Sequence, residues 1–441
     1  MDLFFWLQFA VVLVCIGIGG RFGGIGLGVA GGLGLGILTF GFGMKPDGAA
    51  PVTVMLIILA VITCVAVLQA AGGLDLLVSI AEKMLRKKPG AITFFGPAVV
   101  YLFTVLCGTS YVAFSVYPVI AEIATEARVR PERAMSMAVI ASNFGVVASP
   151  MSAAISGMIA IVAGLGVTPL QILMVTIPGT FLGCLAGCIF VYKRGAELKD
   201  DAEFQRRVAT GEFKDIVSEH KVEYKATNEA KLALVIFLAA IVAVVTLGSI
   251  PSLLPSWVAA NGSVSTMSIP TALQIVMLMT ASFIMIFCKV QPSKLDSGSV
   301  FKAGLVGVVA IFGLSWMMGT FFETYSALFK EAFLDMQNPF VFAVIIFVLS
   351  IVIYSPSATV AAIMPLGVLM GLPVTLLVGL MPATAGSFII PGGAQIGCVA
   401  FDRTGSTRIG KYAINHSYLL PGMVAAVVST VVCLLLAQVV I

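Results

Sequence analysis

Apolar runs of roughly 20 residues, each long enough to cross a bilayer as a helix, alternate along this chain with short polar segments rich in lysine and arginine. Runs over about 3–19, 23–43 and 51–71 predict three spans, and the basic amphipathic stretch Leu74–Lys88 before Pro89-Gly90 predicts a surface helix. The next apolar block, about 92–127, is too long for one span and is broken at Cys107-Gly108-Thr109-Ser110. Both of its ends carry basic clusters (Lys83, Arg86, Lys87, Lys88, then Arg128, Arg130, Arg133), so it reads as a re-entrant hairpin whose ends share one side. An interrupted span over about 133–164, broken at Ser142-Asn143 and Ser149-Pro150, leads to a further span at 168–192.

A polar stretch over 193–230 follows, with nine basic residues if Lys231 is counted, and reads as a cytoplasmic linker containing a short amphipathic helix or solvated loop. The order then repeats. Spans at about 231–249, 269–288 and 300–319 precede an acidic patch (Glu323, Glu331, Asp335) and a hairpin over about 339–371, broken at Ser355-Pro356-Ser357-Ala358-Thr359. An interrupted span over about 373–401, broken at Pro382-Ala383-Thr384 and Pro391-Gly392-Gly393, and a last helix over about 412–440 complete the second half. The expected fold is an all-α polytopic membrane protein, each half holding three spans, one re-entrant hairpin, one interrupted span and one further span. Because the first half runs inward overall and the second outward, the repeat (1–192 against 231–441) is inverted and both termini are expected to be periplasmic. Of the 25 Lys and Arg residues, only Lys45 and Lys330 then fall outside the basic side. Aligning Pro131 with Pro373 puts Ser142 opposite Thr384 and Pro150 within one residue of Pro391.

Composition agrees with this reading: 59% of the residues are hydrophobic and 10% charged. The start Met1-Asp2-Leu3 has no basic n-region, so the first run is expected to be a retained helix rather than a cleaved signal. A net charge of +4 is loop charge that follows membrane orientation and gives no reason to expect nucleic acid as a partner. Eight cysteines sit inside apolar segments without metal-ligand spacing and are expected to be buried small apolar residues, and no metal or cofactor is expected.

The breaks carry the chemistry. Proline and glycine inside a span leave backbone N–H and C=O groups that hydrocarbon cannot satisfy, so such breaks persist only beside protein or a wet cavity. Each creates a helix N-terminus whose positive end and free N–H groups suit a carboxylate. The candidate substrate-binding residues are therefore Thr109 and Ser110 at the first hairpin tip, Ser355, Ser357 and Thr359 at the second, and Asn143, Ser149, Ser152, Thr384 and Ser387 at the interrupted spans. Any one of these hydroxyls is more often bonded back to its own helix, but their clustering at matching breaks favours a site. No Asp or Glu lies deep in a span, since Asp75, Glu122 and Asp402 fall near segment ends, so no proton relay through buried carboxylates is indicated. Charge for an anion must come from helix ends, from a co-bound cation, or from Arg133, Arg403, Arg408 or Lys411, each of which more often anchors an interface.

Other patterns carry less. Gly26-Leu27-Gly28-Val29-Ala30-Gly31 fits a dinucleotide motif but lies within a span, and the Gly24, Gly28, Gly32, Gly36 spacing reads as close helix packing. With only His220 and His416 present, a zinc protease motif is impossible. Ala154-Ile155-Ser156-Gly157 bears a weak likeness to an intramembrane serine protease without its leading glycine. Asn415-His416-Ser417 reads as a hydrogen-bonded packing cluster.

Several longer segments are distinctive: Gly20-Arg21-Phe22-Gly23-Gly24-Ile25-Gly26, Gly72-Gly73-Leu74-Asp75, Glu82-Lys83-Met84-Leu85-Arg86, Arg130-Pro131-Glu132-Arg133, Ala148-Ser149-Pro150, Phe401-Asp402-Arg403-Thr404-Gly405, and Ile409-Gly410-Lys411 through Asn415-His416. Together, along the whole chain, they resemble the anaerobic C4-dicarboxylate exchanger (Dcu) family. That resemblance implies a bacterial inner-membrane antiporter exchanging fumarate, malate or aspartate for succinate. It also implies kinship with the ion transporter superfamily, whose members are typically homodimers that move a hairpin-bearing transport domain against a scaffold. A sodium-coupled symporter on the same scaffold is the alternative. The departures fall at the breaks: Gly108-Thr109-Ser110 replaces the usual Gly-Thr-Gly, Ser355-Pro356-Ser357 replaces Ser-Gln-Ala, and Ile390-Pro391-Gly392-Gly393-Ala394 replaces Leu-Pro-Thr-Tyr-Pro. Loss of a tyrosine and a glutamine implies a wider, less polar pocket than usual.

The threading is open to direct test. An impermeant thiol reagent added outside should label a cysteine placed at Ser263 and miss one placed at Ala209; the opposite result would invert the topology.

Overall fold

The computed structural model describes residues 3–22, 25–46, 52–210, 226–258, 264–295, 298–325, 327–328, 339–353, 355–391, 393–409 and 415–441. Gly24, His220, Ser263, Lys330, Glu331, Asp335, Gly392 and Lys411 lie outside the described residues. Among the described residues, seven helices are long and apolar enough to cross a membrane, or eight if one bent pair counts as a span, which makes this a multi-pass helical membrane protein.

Helices α1 (Leu3–Phe22), α2 (Ile25–Gly36, prolonged by a π turn to Gly41) and α3 (Val52–Ala70) open the chain. At Gly72 the backbone enters the left-handed region, φ 80°, which glycine adopts without strain, and α4 (Gly73–Arg86) leaves α3 at 70°. It is the expected amphipathic helix: Leu74, Leu77, Ala81 and Leu85 are buried, and Arg86 bonds Glu82, Glu122 and Glu126 at 2.9, 3.0 and 3.1 Å. Then come α5 (Ile92–Cys107), a 3-10 helix (Ser110–Ser115), α6 (Tyr117–Glu126), α7 (Pro131–Ala148), α8 (Ala153–Ile161) and α9 (Pro169–Val191). The linker contributes α10 (Ala202–Ala209).

In the second half α11 (Asn228–Ser249), α12 (Ile269–Phe287) and α13 (Ser299–Thr324) precede α14 (Pro339–Ile353) and α15 (Pro356–Leu369). The chain continues through α16 (Val374–Gly379), a 3-10 helix (Met381–Phe388), α17 (Gly393–Phe401) and α18 (Leu419–Val440). Three features differ from expectation. A short antiparallel pair, β1 (Ser256–Val258) with β2 (Val264–Thr266), lies between α11 and α12 in an otherwise helical fold. The second interrupted span is more broken than its pattern suggests, with a 3-10 stretch between its two α segments. The last helix begins at Leu419 rather than near 412, because the chain doubles back: the Ser417 N–H donates to the Arg408 carbonyl at 3.1 Å and Ile409 bridges His416.

In lipid, helices associate through close van der Waals fit rather than through a hydrophobic drive, which gives small residues their value at contacts. A Cβ built on Gly28 would lie 1.9 Å from the Val309 carbonyl oxygen, and one on Gly313 would lie 1.8 Å from that of Gly28. The backbones of α2 and α13 therefore touch. The contact face of α2 is Gly28, Gly31 and Gly34, each of which would clash with α13 or its neighbours, whereas Gly32 and Gly36 have nothing within 4 Å. The helical register explains this correction: the face recurs every third residue. A second small-residue seam sets Gly179, Gly183 and Gly187 of α9 against α18 at Cys433, Ser429 and Pro421.

These seams build two packed groups. In one, α2 packs on α1 and α13, α3 on α12 and α13, and α11 on α12. In the other, α5 packs on α7, α7 on α9, α9 on α18, and α14 and α18 on the 3-10 segment at 381–388.

Gly28→Val should destabilise the protein by about 2 kcal/mol or more, the usual scale of forced overpacking, while Gly32→Val should stay within about 0.5 kcal/mol. Thermal unfolding of both variants in detergent checks the contrast, and equal midpoints would refute the assigned face.

Candidate functional site

The breaks open onto one cavity of about 1050 Å³, which lies between the two packed groups. Thr109, Ser110, Asn143, Ser355, Ser357 and Ser387 line it. At the first hairpin tip α5 stops at Cys107, and Gly108, at φ 72°, turns the chain into the 3-10 helix that begins at Ser110. A Cβ on Gly108 would fall 2.5 Å from the Met151 carbonyl oxygen, so this tip rests on the break between α7 and α8. At the second tip Ser355 caps α15, accepting the Ala358 N–H at 3.2 Å, and Pro356 occupies the first turn, where its missing N–H costs nothing. The Asn143 amide donates to Ser387 Oγ at 3.2 Å, joining the two interrupted spans across the cavity wall.

The remaining four candidates, Ser149, Ser152, Thr359 and Thr384, are buried and do not line the cavity. Each bonds backbone at a break or within a helix turn. Ser149 Oγ donates to the Val105 carbonyl at 2.5 Å and accepts the Met151 N–H at 3.1 Å, fastening the first interrupted span to its hairpin. Ser152 caps α8, accepting the Ile155 N–H at 3.1 Å. Thr359 and Thr384 donate back to the carbonyls of Ser355 and Met381, at 2.9 and 2.7 Å. In the second half Ser350 makes the comparable link, accepting the Gly386 N–H at 3.0 Å and donating to the Ala383 carbonyl at 3.1 Å.

Helix N-termini converge on the cavity: Ser110, Ala153, Pro356 and Ala394, each within two residues of the start of a helical segment, all line it. No carboxylate appears among its described lining residues, and Arg21 is the charged one. A helix N-terminus favours anions, so the electrostatic character of this space suits a small carboxylate. The two walls differ. One, from the hairpins and interrupted spans, brings hydroxyls and amides; the other, from α1, α3 and α13, brings Gly17, Ile58, Ile62, Val65, Gly304 and Ala310, with Arg21 at its end.

Arg21 and Gln395, which is buried and also lines the cavity, are not among the residues expected from sequence. A signal existed for each: Arg21 is the lone charge between the first two apolar runs, and Gln395 follows a Gly-Gly break by two residues. Arg133, Arg403 and Arg408, the described bases among those weighed as a source of charge, do not line the cavity. Arg133 is buried and holds the linker, donating to the Arg194 and Gly195 carbonyls at 2.8 and 3.1 Å and to Glu197 at 2.9 Å. Arg130 pairs with Glu132 and Asp201. Burial pushes the Asp201 carboxyl up, but the Phe204 N–H and the Arg130 guanidinium outweigh it and hold it below the usual carboxylate range. Arg403 and Arg408 are exposed and face other pockets.

His416 is part of a packing cluster, as its neighbours suggest. Its Nδ1 accepts the Tyr418 N–H at 3.2 Å, so Nε2 carries the proton and donates to the Ile389 carbonyl at 2.9 Å. Burial pushes this imidazole below its ordinary value, partly offset by the Ile389 bond. The hydroxyl of Ser156 is buried without a partner among the described residues, so nothing there activates it as a nucleophile. All eight cysteines are free and buried.

The family model described as "Anaerobic c4-dicarboxylate membrane transporter" matches residues 4–441. The chain is 36% identical over 440 residues to the anaerobic C4-dicarboxylate transporter DcuB of Escherichia coli O6:H1, covering 97% of each chain. It is 36% identical over 441 residues to the C4-dicarboxylate transporter DcuA of Wolinella succinogenes, covering 98% of this chain and 99% of that one. A DcuA of Helicobacter pylori is likewise 36% identical, with 97% of each covered. The chain belongs to this family of membrane transporters, and it is not an enzyme.

Cysteines placed at Thr109 and Ser357 should react with a small charged thiol reagent, whereas cysteines at Thr359 and Thr384 should stay unreactive. Equal labelling of all four positions would contradict the division between lining and structural hydroxyls.

Proposed function

We propose that this carrier is a secondary antiporter that exchanges C4-dicarboxylates, fumarate, malate or aspartate against succinate, across the bacterial inner membrane. The observation that carries the reading is the cavity itself: helix N-termini, hydroxyls and amides around a space with one guanidinium and no carboxylate among its described lining residues. In this reading one carboxylate lies against the hairpin tips, bonded by Thr109, Ser110, Ser355 and Ser357. The other meets Asn143, Ser387 and Gln395, and Arg21 draws the dianion in from the rim.

The two walls support an elevator-type movement. The hairpins, the interrupted spans, α9 and α18 would carry the substrate as a transport domain, and the first three spans of each half would remain as scaffold. Breaking contact along a wall of glycine and aliphatic side chains costs few directional bonds, so the polar wall can slide past it with its ligand. The inverted order of the two halves, with residues 193–230 on the cytoplasmic side and both termini periplasmic, would give two related end states. Exchange follows if the empty domain does not cross. A homodimer joined through its scaffolds is part of the proposal, by likeness to the wider superfamily.

A sodium-coupled symporter is the second reading. The same breaks bring helix C-terminal ends, Cys107 of α5 and Ile353 of α14, to the cavity, and end carbonyls are sodium ligands.

Thr109→Ala and Ser357→Ala are each expected to lower uptake by about tenfold, the scale of one lost charge-assisted hydrogen bond, with membrane insertion intact. Arg21→Gln should raise the apparent KM by a similar factor and leave the maximal rate nearly unchanged. Normal transport by both alanine variants would remove the proposed site.

A further inference from the structure

A second pocket, of about 290 Å³, sits at the arginine-rich end of the molecule between the start of α7, the end of α9 and the start of α18. It takes no part in the proposed transport step. Four arginines line it, Arg130, Arg133, Arg194 and Arg408, against a single carboxylate, Glu132. Two of the arginines are already engaged: Arg130 with Glu132 and Asp201, and Arg133 with Glu197. Glu132 is engaged as well, since it also accepts the Ser417 hydroxyl at 2.5 Å. Arg194 and Arg408 are exposed, and neither has a carboxylate in ion-pair range among the described residues. His416, also on the lining, has both ring nitrogens bonded and presents no free acceptor.

The segments that carry the two open guanidiniums are held in place. Arg133 fixes the backbone at residues 194 and 195, and the Arg194 guanidinium lies 5.2 Å from the centre of the Phe190 ring. The Arg408 N–H donates to Ser417 Oγ at 3.0 Å. Val191, Leu419, Leu420 and Pro421 form an apolar wall, and Ser136, Asn415 and Ser417 add to the polar side. These residues end one membrane helix and begin another, and exposed Phe190, Tyr192 and Leu420 mark this as the interfacial edge of the apolar surface.

We infer that this pocket binds a phosphate group between Arg194 and Arg408. Two guanidiniums that line one pocket with no carboxylate in ion-pair range among the described residues suit a phosphate group. An apolar wall at the interfacial edge matches the glycerol and acyl region of a phospholipid, and basic pockets between membrane helices on the cytoplasmic side suit anionic headgroups. A phosphatidylglycerol-type lipid and a soluble phosphate share this chemistry, so the test separates them. Bound lipid would tie α7, α9 and α18 together where the linker joins them.

Native mass spectrometry of the purified full-length carrier, exchanged into detergent with phosphatidylglycerol or phosphatidylcholine, reads the site directly. Wild type should retain phosphatidylglycerol and not phosphatidylcholine. The double variant Arg194→Gln/Arg408→Gln should retain about tenfold less, and Lys87→Gln, on the exposed end of α4, should behave as wild type. Both arginines are exposed, so the double variant should fold; an unchanged thermal midpoint without lipid verifies it. If wild type retains no phosphatidylglycerol yet inorganic phosphate raises its midpoint and not that of the double variant, the phosphate site stands with a soluble ligand. Equal lipid retention by wild type and double variant, no response to lipid or phosphate, or equal stabilisation by succinate would each overturn it.

Discussion

A backbone amide or carbonyl left without a partner in hydrocarbon costs several kcal/mol, and this chain interrupts its helices at four places within its apolar segments. That constraint orders the structure. Every break is closed by specific bonds: Ser152 and Ser355 cap the helices that restart, Ser149 and Ser350 join each interrupted span to a hairpin, and Asn143 joins the two interrupted spans. The breaks share a common cavity. The polar lining includes groups that close the breaks, Ser355, Asn143 and Ser387, and it is rich in donors and helix N-termini because helices restart there.

The glycine seams provide the rigid frame that such breaks need. Direct backbone contact between α2 and α13, and the close fit of α9 to α18, fix one packed group on either side of the cavity. Since lipid offers helices no hydrophobic drive to associate, this fit sets where the polar wall stands relative to the apolar one. Ser110 and Pro356, two of the positions where the chain departs from the pattern that the resemblance implies, line the cavity on its polar wall.

Much of the architecture was legible in the chain. Apolar run length pointed to a multi-pass helical membrane protein, because crossing a bilayer demands about 20 apolar residues whatever their identity. The breaks were legible because proline and glycine have few other uses at that depth. The direction of individual side chains was not. Ser149, Ser152, Thr359 and Thr384 look in sequence like Thr109 and Ser357, and only the path of the backbone decides whether a hydroxyl caps, bonds back or faces the cavity. The glycine face of α2 follows helical phase, which small-residue spacing leaves ambiguous between Gly31 and Gly32. Arg21 was visible as a lone charge, but its position on the cavity depends on how α1 packs against the rest. The late start of α18 comes from pairing between Arg408 and Ser417 that no apolar pattern records.

The central claim is that one cavity carries a dicarboxylate and that the loaded form alone crosses. It is tested most directly by uptake of labelled fumarate or aspartate into proteoliposomes, with and without internal succinate, each in sodium and in potassium buffer. The account predicts uptake that requires internal succinate and is the same in both buffers. Uptake into empty vesicles driven by a sodium gradient would contradict it and make the carrier a symporter.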